Sequence, residues 1–254
     1  MKYVVILMSL VGLFSCSNKY QDMLNESHDY QIIPKPEKLT MTKGRFLINS
    51  ETKIIYELSL EKEASYLSEM IANGSNKDLE VLAEGADQGN IRLKIDPEIE
   101  HPEGYNLKVS YDKILISGKT PAGVFYGIQS LRQLMPAAIE AADQELIDLT
   151  VPGVEISDHP RYGYRGMHLD VGRHFFGVAS VKKYLDIIAM HKMNKFHWHL
   201  TDAPGWRLEI KKYPKLTNIG AIGNYSNPDA KPQFYTQDDI KEIVQFASER
   251  HIEI

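Results

Sequence analysis

Two short stretches of the 254-residue chain concentrate side chains able to do chemistry: residues 165–174 (RGMHLDVGRH) and residues 197–207 (HWHLTDAPGWR). His197 and His199 are two positions apart and share a face if that stretch is a strand. A metal-dependent hydrolase uses such a pair, but a catalytic zinc takes three protein ligands, so the rest would have to come from Asp202 or from outside the chain. The competing reading makes the two imidazoles buried, hydrogen-bonded structural groups. Asp202 follows the same stretch, where a carboxylate either orients and polarises a catalytic partner or caps a loop. Trp206 offers a flat apolar face on which a sugar ring can stack, or it anchors the loop. Arg165 has apolar neighbours and needs a carboxylate or a polar ligand, the internal choice being a salt bridge to Asp170.

The surrounding pattern says how these residues are positioned. Residues 163–171 and 195–200 have the length and content of strands, and residues 180–191 carry Val181, Tyr184, Leu185, Ile188 and Ala189 at helical spacing. Residues 236–250 form a second helix, with Thr236 as its cap and Asp238 and Asp239 favouring the positive end of its dipole. Residues 251–254 open a third strand. Alternating strands and helices imply βα units on a parallel sheet, and the Pro/Gly/Asn-rich loop of about 35 residues after the second strand lies where such a fold keeps its site.

The preceding part is different in rhythm. Strands are expected at 52–57 (TKIIYE) and 90–95 (NIRLKI), and a hairpin at 105–110 and 113–117. A helix runs from Leu60 through Leu67 and Ile71, ended by Asn73-Gly74, and another over 121–135 begins with a proline. Together these make a small α+β domain. Turn residues gather at Val151-Pro152-Gly153 and Asp158-His159-Pro160, which puts the domain boundary there.

The composition, 43% hydrophobic and 25% charged, is that of a globular protein, and 29 Lys plus Arg against 34 Asp plus Glu leave a net charge of −5. No basic stripe stands out, which argues against a nucleic-acid partner. The first residues, MKYVVILMSLVGLFSCSNK, place one lysine before an apolar run that is too short to span a bilayer. This is the layout of an export signal over residues 1–15. Cys16 is the only cysteine, so the chain has no internal disulfide and no cysteine-rich metal site. It sits where cleavage would occur and resembles the lipidated cysteine of bacterial lipoproteins, with 16–29 as a linker.

The strings Arg165-Gly166-Met167-His168-Leu169-Asp170-Val171-Gly172-Arg173-His174-Phe175-Phe176, then Met193-Asn194-Lys195-Phe196-His197-Trp198-His199-Leu200-Thr201-Asp202 and Gly205-Trp206-Arg207, resemble the family 20 glycoside hydrolases, the β-N-acetylhexosaminidases. The stretch GKTPAGVFYG at 118–127 is similar to the small domain that precedes their barrel. The resemblance implies an α+β domain over 30–158 followed by the first units of a (β/α)8 barrel over 159–254. It implies an exo-acting enzyme that removes terminal β-linked N-acetylglucosamine or N-acetylgalactosamine, retaining configuration through the substrate's own 2-acetamido group, without cofactor or metal. It assigns hydroxyl binding to Arg165 and support of the general acid to Asp202. Ala203 stands where the family usually has a second acidic residue. The family's catalytic Asp-Glu pair falls after the third strand, beyond Ile254, so these 254 residues alone are expected to be inactive. A carbohydrate-binding relative without catalysis and, less favoured, a metal-dependent hydrolase are the alternatives. For the leader, mass spectrometry of the mature N-terminus is expected to find a diacylglyceryl-modified Cys16; an unmodified residue at any other position would refute the anchor.

Overall fold

A computed structural model describes residues 32–85, 90–141 and 149–254, so the export signal, Cys16 and the linker lie outside the described residues. The first unit is a seven-stranded sheet. Its strands are β1 (Lys38–Ile48), β2 (Lys53–Tyr56), β3 (Glu80–Ala83), β4 (Ile91–Ile95), β5 (Tyr105–Val109), β6 (Ile114–Gly118) and β7 (Leu149–Asp158). They lie in the order β1-β7-β5-β6-β4-β2-β3. The half from β3 to β6 is parallel and the half from β6 to β1 antiparallel. Alternation decides the buried face: Tyr105, Leu107 and Val109 point to the core while Lys108 is exposed. Helices α1 (Glu61–Ser75) and α2 (Pro121–Leu134) cover that face, with Leu67, Ile71, Val124, Phe125, Ile128 and Leu131 fully buried.

The hairpin at β5 and β6 forms as the sequence suggests, whereas β1 and β7 run through segments not read as strands. Val151-Pro152-Gly153 lies within β7 rather than in a boundary turn. The register between β1 and β7 shifts between Met41 and Arg45, and Pro152 pairs with Arg45 at the edge of that irregularity, where a strand tolerates a missing N–H. Gly153 is held by close approach: a Cβ there would stand 2.8 Å from Thr42 Oγ1 and 2.9 Å from the Lys43 and Gly44 carbonyls. Asn73-Gly74 likewise stays inside α1, whose end is set by Asn76 in the left-handed region.

The second unit is a partial (β/α) barrel. Strand β8 (Gly166–Asp170) leads through α3 (Val178–Met190) to β9 (Lys195–His199), which pairs with β8 in parallel from Gly166↔Lys195 to Asp170↔His199. A two-residue ribbon, β10 (Thr201–Asp202) with β11 (Gly205–Trp206), a short α4 (Lys215–Asn218) and then α5 (Gln237–Ser248) follow. Thr236 caps α5 in a reciprocal pair with Asp239, as its sequence suggests. Phe196 and Trp198 point to the helices and are buried, while Glu253 bridges to Lys195 where the third strand begins.

The two units meet through charged groups at the N-terminal ends of the barrel strands. Arg165, just before β8, makes two parallel bonds to Glu103 at 3.0 and 2.9 Å. The same guanidinium donates to the carbonyls of Lys192 and Tyr162 and to the Tyr126 hydroxyl. Asn194, just before β9, donates to Glu103. Lys192, buried and in the left-handed region, donates to the Tyr105 hydroxyl at 2.8 Å and pairs with Asp158 at 3.3 Å. His251 meets buried Glu63 at 2.8 Å. Burial by itself would raise the Glu103 carboxyl, but the bonds from Arg165, Asn194 and Tyr126 outweigh it and hold the group below its ordinary 4.5.

A carboxyl lowered on folding stabilises the folded state above its unfolded value and loses that contribution as the pH falls through the lowered value. Glu103→Ala is therefore expected to cost about 2–4 kcal/mol at neutral pH, because it strands the Arg165 charge, and Glu103→Gln less. The gap between wild type and Glu103→Ala, read as urea midpoints, should narrow below pH 4.5. Equal midpoints at pH 7 would remove Glu103 from the interface.

Candidate functional site at the mouth of the barrel

Parallel pairing of β8 and β9 brings their C-terminal ends together at the other end of the barrel. Asp170 closes β8, His199 closes β9, and the β10–β11 ribbon returns the chain over both. Arg173 lies three residues past Asp170 and bridges the two aspartates. One guanidinium nitrogen binds the Asp170 carboxylate and the other lies 2.9 Å from Asp202 Oδ2. The backbone N–H of Arg173 donates to Asp170 as well, at 3.0 Å. Asp202 Oδ2 also meets His199 Nε2 at 3.0 Å, and its Oδ1 accepts from the Ala203 N–H at 2.7 Å.

Both carboxyls are held below the usual aspartate value. At Asp202 the Ala203 N–H contributes most, followed by the His199 bond and the Arg173 charge. At Asp170 burial pushes upward, but the Arg173 backbone and guanidinium overcome it. Two carboxylates ionised at neutral pH cannot deliver a proton; with a half-exposed guanidinium between them they can bind and orient hydroxyl groups.

The ribbon owes its position to Arg207, the largest fully buried side chain among the described residues. Its guanidinium donates to five carbonyl groups: Val171 at 3.2 Å, Ala221, Gln233 and Gly172 at 3.0 Å, and Gly223 at 2.9 Å. Five donors in a rigid fork meet five acceptors from the end of β8 and from the loop at 207–235. Gly205 is required beside it, since a Cβ would fall 2.3 Å from the guanidinium carbon. Trp206 gives its indole N–H to the Leu208 carbonyl at 2.6 Å and its backbone N–H to Gly220. It anchors the loop, which is the second of the two readings its sequence allows.

Asp202 is therefore at the mouth, where its position after β9 suggests. Arg165 is not. It precedes β8, about 16 Å of strand from Asp170, and its guanidinium is spent on Glu103, Tyr126 and two carbonyls. Sugar binding by Arg165 is corrected on that ground, and so is its salt bridge to Asp170, which pairs with Arg173 instead. Arg173 carries a signal in the sequence: it follows a strand end and stands three residues after an aspartate, across Gly172. His199 joins the mouth, whereas His197 faces His168 of the neighbouring strand at 4.6 Å between ring centroids. Among the described residues, Asp170, His199 and Asp202 lie close enough to share a cation, and Arg173 already supplies the positive charge there.

A mixed α/β unit, then a parallel barrel opening whose strand ends carry a pinned Arg–Asp–Asp–His cluster, defines a two-part chain in which an accessory domain precedes a partial (β/α) barrel. Comparison with known proteins makes this specific. Residues 29–159 match "Glycosyl hydrolase family 20, domain 2" and residues 162–254 match "Glycosyl hydrolase family 20, catalytic domain". The chain belongs to glycosyl hydrolase family 20. It is 39% identical over 96% of its length to a beta-hexosaminidase of Porphyromonas gingivalis, covering 32% of that protein. The N-acetyl-beta-hexosaminidase of Streptomyces plicatus, solved with thio-NAglucal, superposes with a TM-score of 0.81 at 36% identity over 87% of this chain and 44% of its own. The GH20 exo beta-N-acetylglucosaminidase of Vibrio harveyi, solved with N-acetylglucosamine, gives 0.76 at 32% identity over 89% of this chain and 36% of its own. The chain thus spans about a third of the curated relative's length and less than half of each solved chain.

Arg207→Lys offers three donors where five carbonyls wait, and is expected to lower stability by about 3 kcal/mol or more. Limited proteolysis within 207–235 should accelerate at the same time. Unchanged stability with an intact loop would show that water replaces the guanidinium without cost.

Proposed function

We propose that the complete protein is an exo-acting β-N-acetylhexosaminidase that works by substrate assistance, and that Arg173, Asp170, Asp202 and His199 position the terminal sugar and the general acid. The observation that carries this reading is the Arg173 bridge between two ionised aspartates at the strand ends. A terminal pyranose presents several hydroxyls to a closed end, and paired donors and acceptors in fixed geometry bind them. Asp202, tied to His199, keeps a negative charge beside the place where an acid must stay protonated and supports it electrostatically. The Vibrio harveyi relative, solved with N-acetylglucosamine, supports a sugar bearing a 2-acetamido group.

In the chemistry proposed, the acetamido oxygen attacks the anomeric carbon as the glycosidic bond breaks, and the general acid protonates the leaving oxygen. Water then opens the oxazolinium-like intermediate, giving up its proton to the same residue, and configuration is retained. Neither Asp170 nor Asp202 fits that acid, since both are held ionised, and no Asp-Glu dipeptide occurs in the 254 residues. We further propose export with Cys16 as the point of lipid attachment, supported by the leader's charge-then-apolar layout and tested by the same N-terminal mass measurement.

The complete protein is expected to release the aryl group from an aryl N-acetyl-β-D-glucosaminide and to leave the matching β-glucoside, which lacks the acetamido group, nearly untouched. Arg173→Gln should lower kcat/KM by about a hundredfold or more, and Asp202→Asn should lower kcat about tenfold or more with little change in KM. Residues 1–254 alone should release nothing. Equal rates on both substrates would defeat substrate assistance, and binding without turnover by the complete protein would favour a carbohydrate-binding relative.

A further inference from the structure

The parallel register that builds the mouth also gathers three histidines on one face, His199 at the mouth and His168 and His197 one layer below it. His168 stands directly opposite His197, and His199 lies two residues further along β9 on the same face. Phe196 and Trp198, the alternate residues of β9, are buried on the helix side, so the imidazoles share the inner face of the sheet. Ring centroids are 4.6 Å apart for His168 and His197, 5.7 Å for His168 and His199, and 6.2 Å for His197 and His199. One ring nitrogen from each residue lies within 4.8 Å of the other two.

We propose that His168, His197 and His199 bind one divalent cation of the zinc class. Metal–nitrogen bonds near 2.0–2.1 Å put tetrahedral ligands about 3.4 Å apart, so side-chain rotations of about 1 Å close the set. Nothing has to be given up for it: among the described residues, the His168 and His197 side chains have no hydrogen bond or ion pair, and no guanidinium or ammonium is bonded to this trio. That separates it from the Asp170–His199–Asp202 group, whose charge Arg173 answers. Asp202, bonded to the His199 imidazole at 3.0 Å, is the outer carboxylate that orients a ligating histidine and fixes its tautomer. Imidazole donors without thiolate or a carboxylate ring select zinc or cobalt over calcium or magnesium. The sequence offers only the His197-x-His199 pair; the third ligand comes from the neighbouring strand.

The test is independent of glycosidase activity. Titration calorimetry of the metal-free protein with Zn2+ is expected to show one tight site, and Co2+ should give the intense visible bands of a four-coordinate ion. His168→Asn and His197→Asn should each weaken Zn2+ at least about tenfold, and Asp202→Asn about 10- to 100-fold. His191→Asn, at the C-terminal end of α3 and beside the Ile33 carbonyl, should leave affinity unchanged. Absence of the Co2+ bands in the wild type, or Zn2+ binding of the same strength in the His168 and His197 variants, would overturn the site.

Discussion

One buried guanidinium, that of Arg207, holds the working end of this protein in place. Among the described residues it neutralises no carboxylate. Its charge is dispersed over five backbone carbonyls from three separate segments. A cation taken out of water is tolerable only with all its donors satisfied, and satisfying them here requires the end of β8, the turn at 221–223 and the strand-like approach to Tyr235 to converge. Two of the five acceptors, Val171 and Gly172, directly precede Arg173. The bridge between Asp170 and Asp202 is therefore set by a backbone whose direction Arg207 has fixed.

The two ends of the parallel strands carry opposite assignments of the same side-chain types. At the N-terminal ends, arginine, lysine, asparagine and histidine are consumed by partners from the small domain, so Arg165, Lys192, Asn194 and His251 serve as fasteners. At the C-terminal ends, Arg173 remains about half exposed, with a side-chain exposure of 51%, and faces the mouth. The small domain is thus the base on which the first barrel strands are registered, and its α2 reaches the end of α3 through Gln133 and the Met190 carbonyl. A base held by directional charged bonds leaves the other end of the strands free for chemistry.

Much of this was legible in residue order. The βα alternation, the capping of α5 by Thr236, the hairpin of β5 and β6 and the placement of Asp202 after a strand all follow from local periodicity and local hydrogen bonding, which act within a few residues. The segments that escaped were those whose structure depends on distant partners. Strand β7 contains a proline and a glycine that look like a turn until β1 is laid against it with its bulge. Arg165 and Arg173 belong to one continuous string of family-like residues and differ by eight positions, yet their environments are unrelated, because Glu103, 62 residues from Arg165, is what captures the first. Even the third histidine of the inner face is invisible along the chain, since His168 and His197 become neighbours only by strand pairing.

The sequence by itself determined the family, the succession of a small α+β domain and βα units, and which residue types were present to do chemistry, because ordered strings and short-range periodicity are properties of the chain. Tertiary structure alone decided which arginine is a fastener and which faces the mouth, which carboxylates stay ionised, and which histidines stand together. Those outcomes depend on burial and on charges brought from far along the chain, and neither exists until the strands have paired.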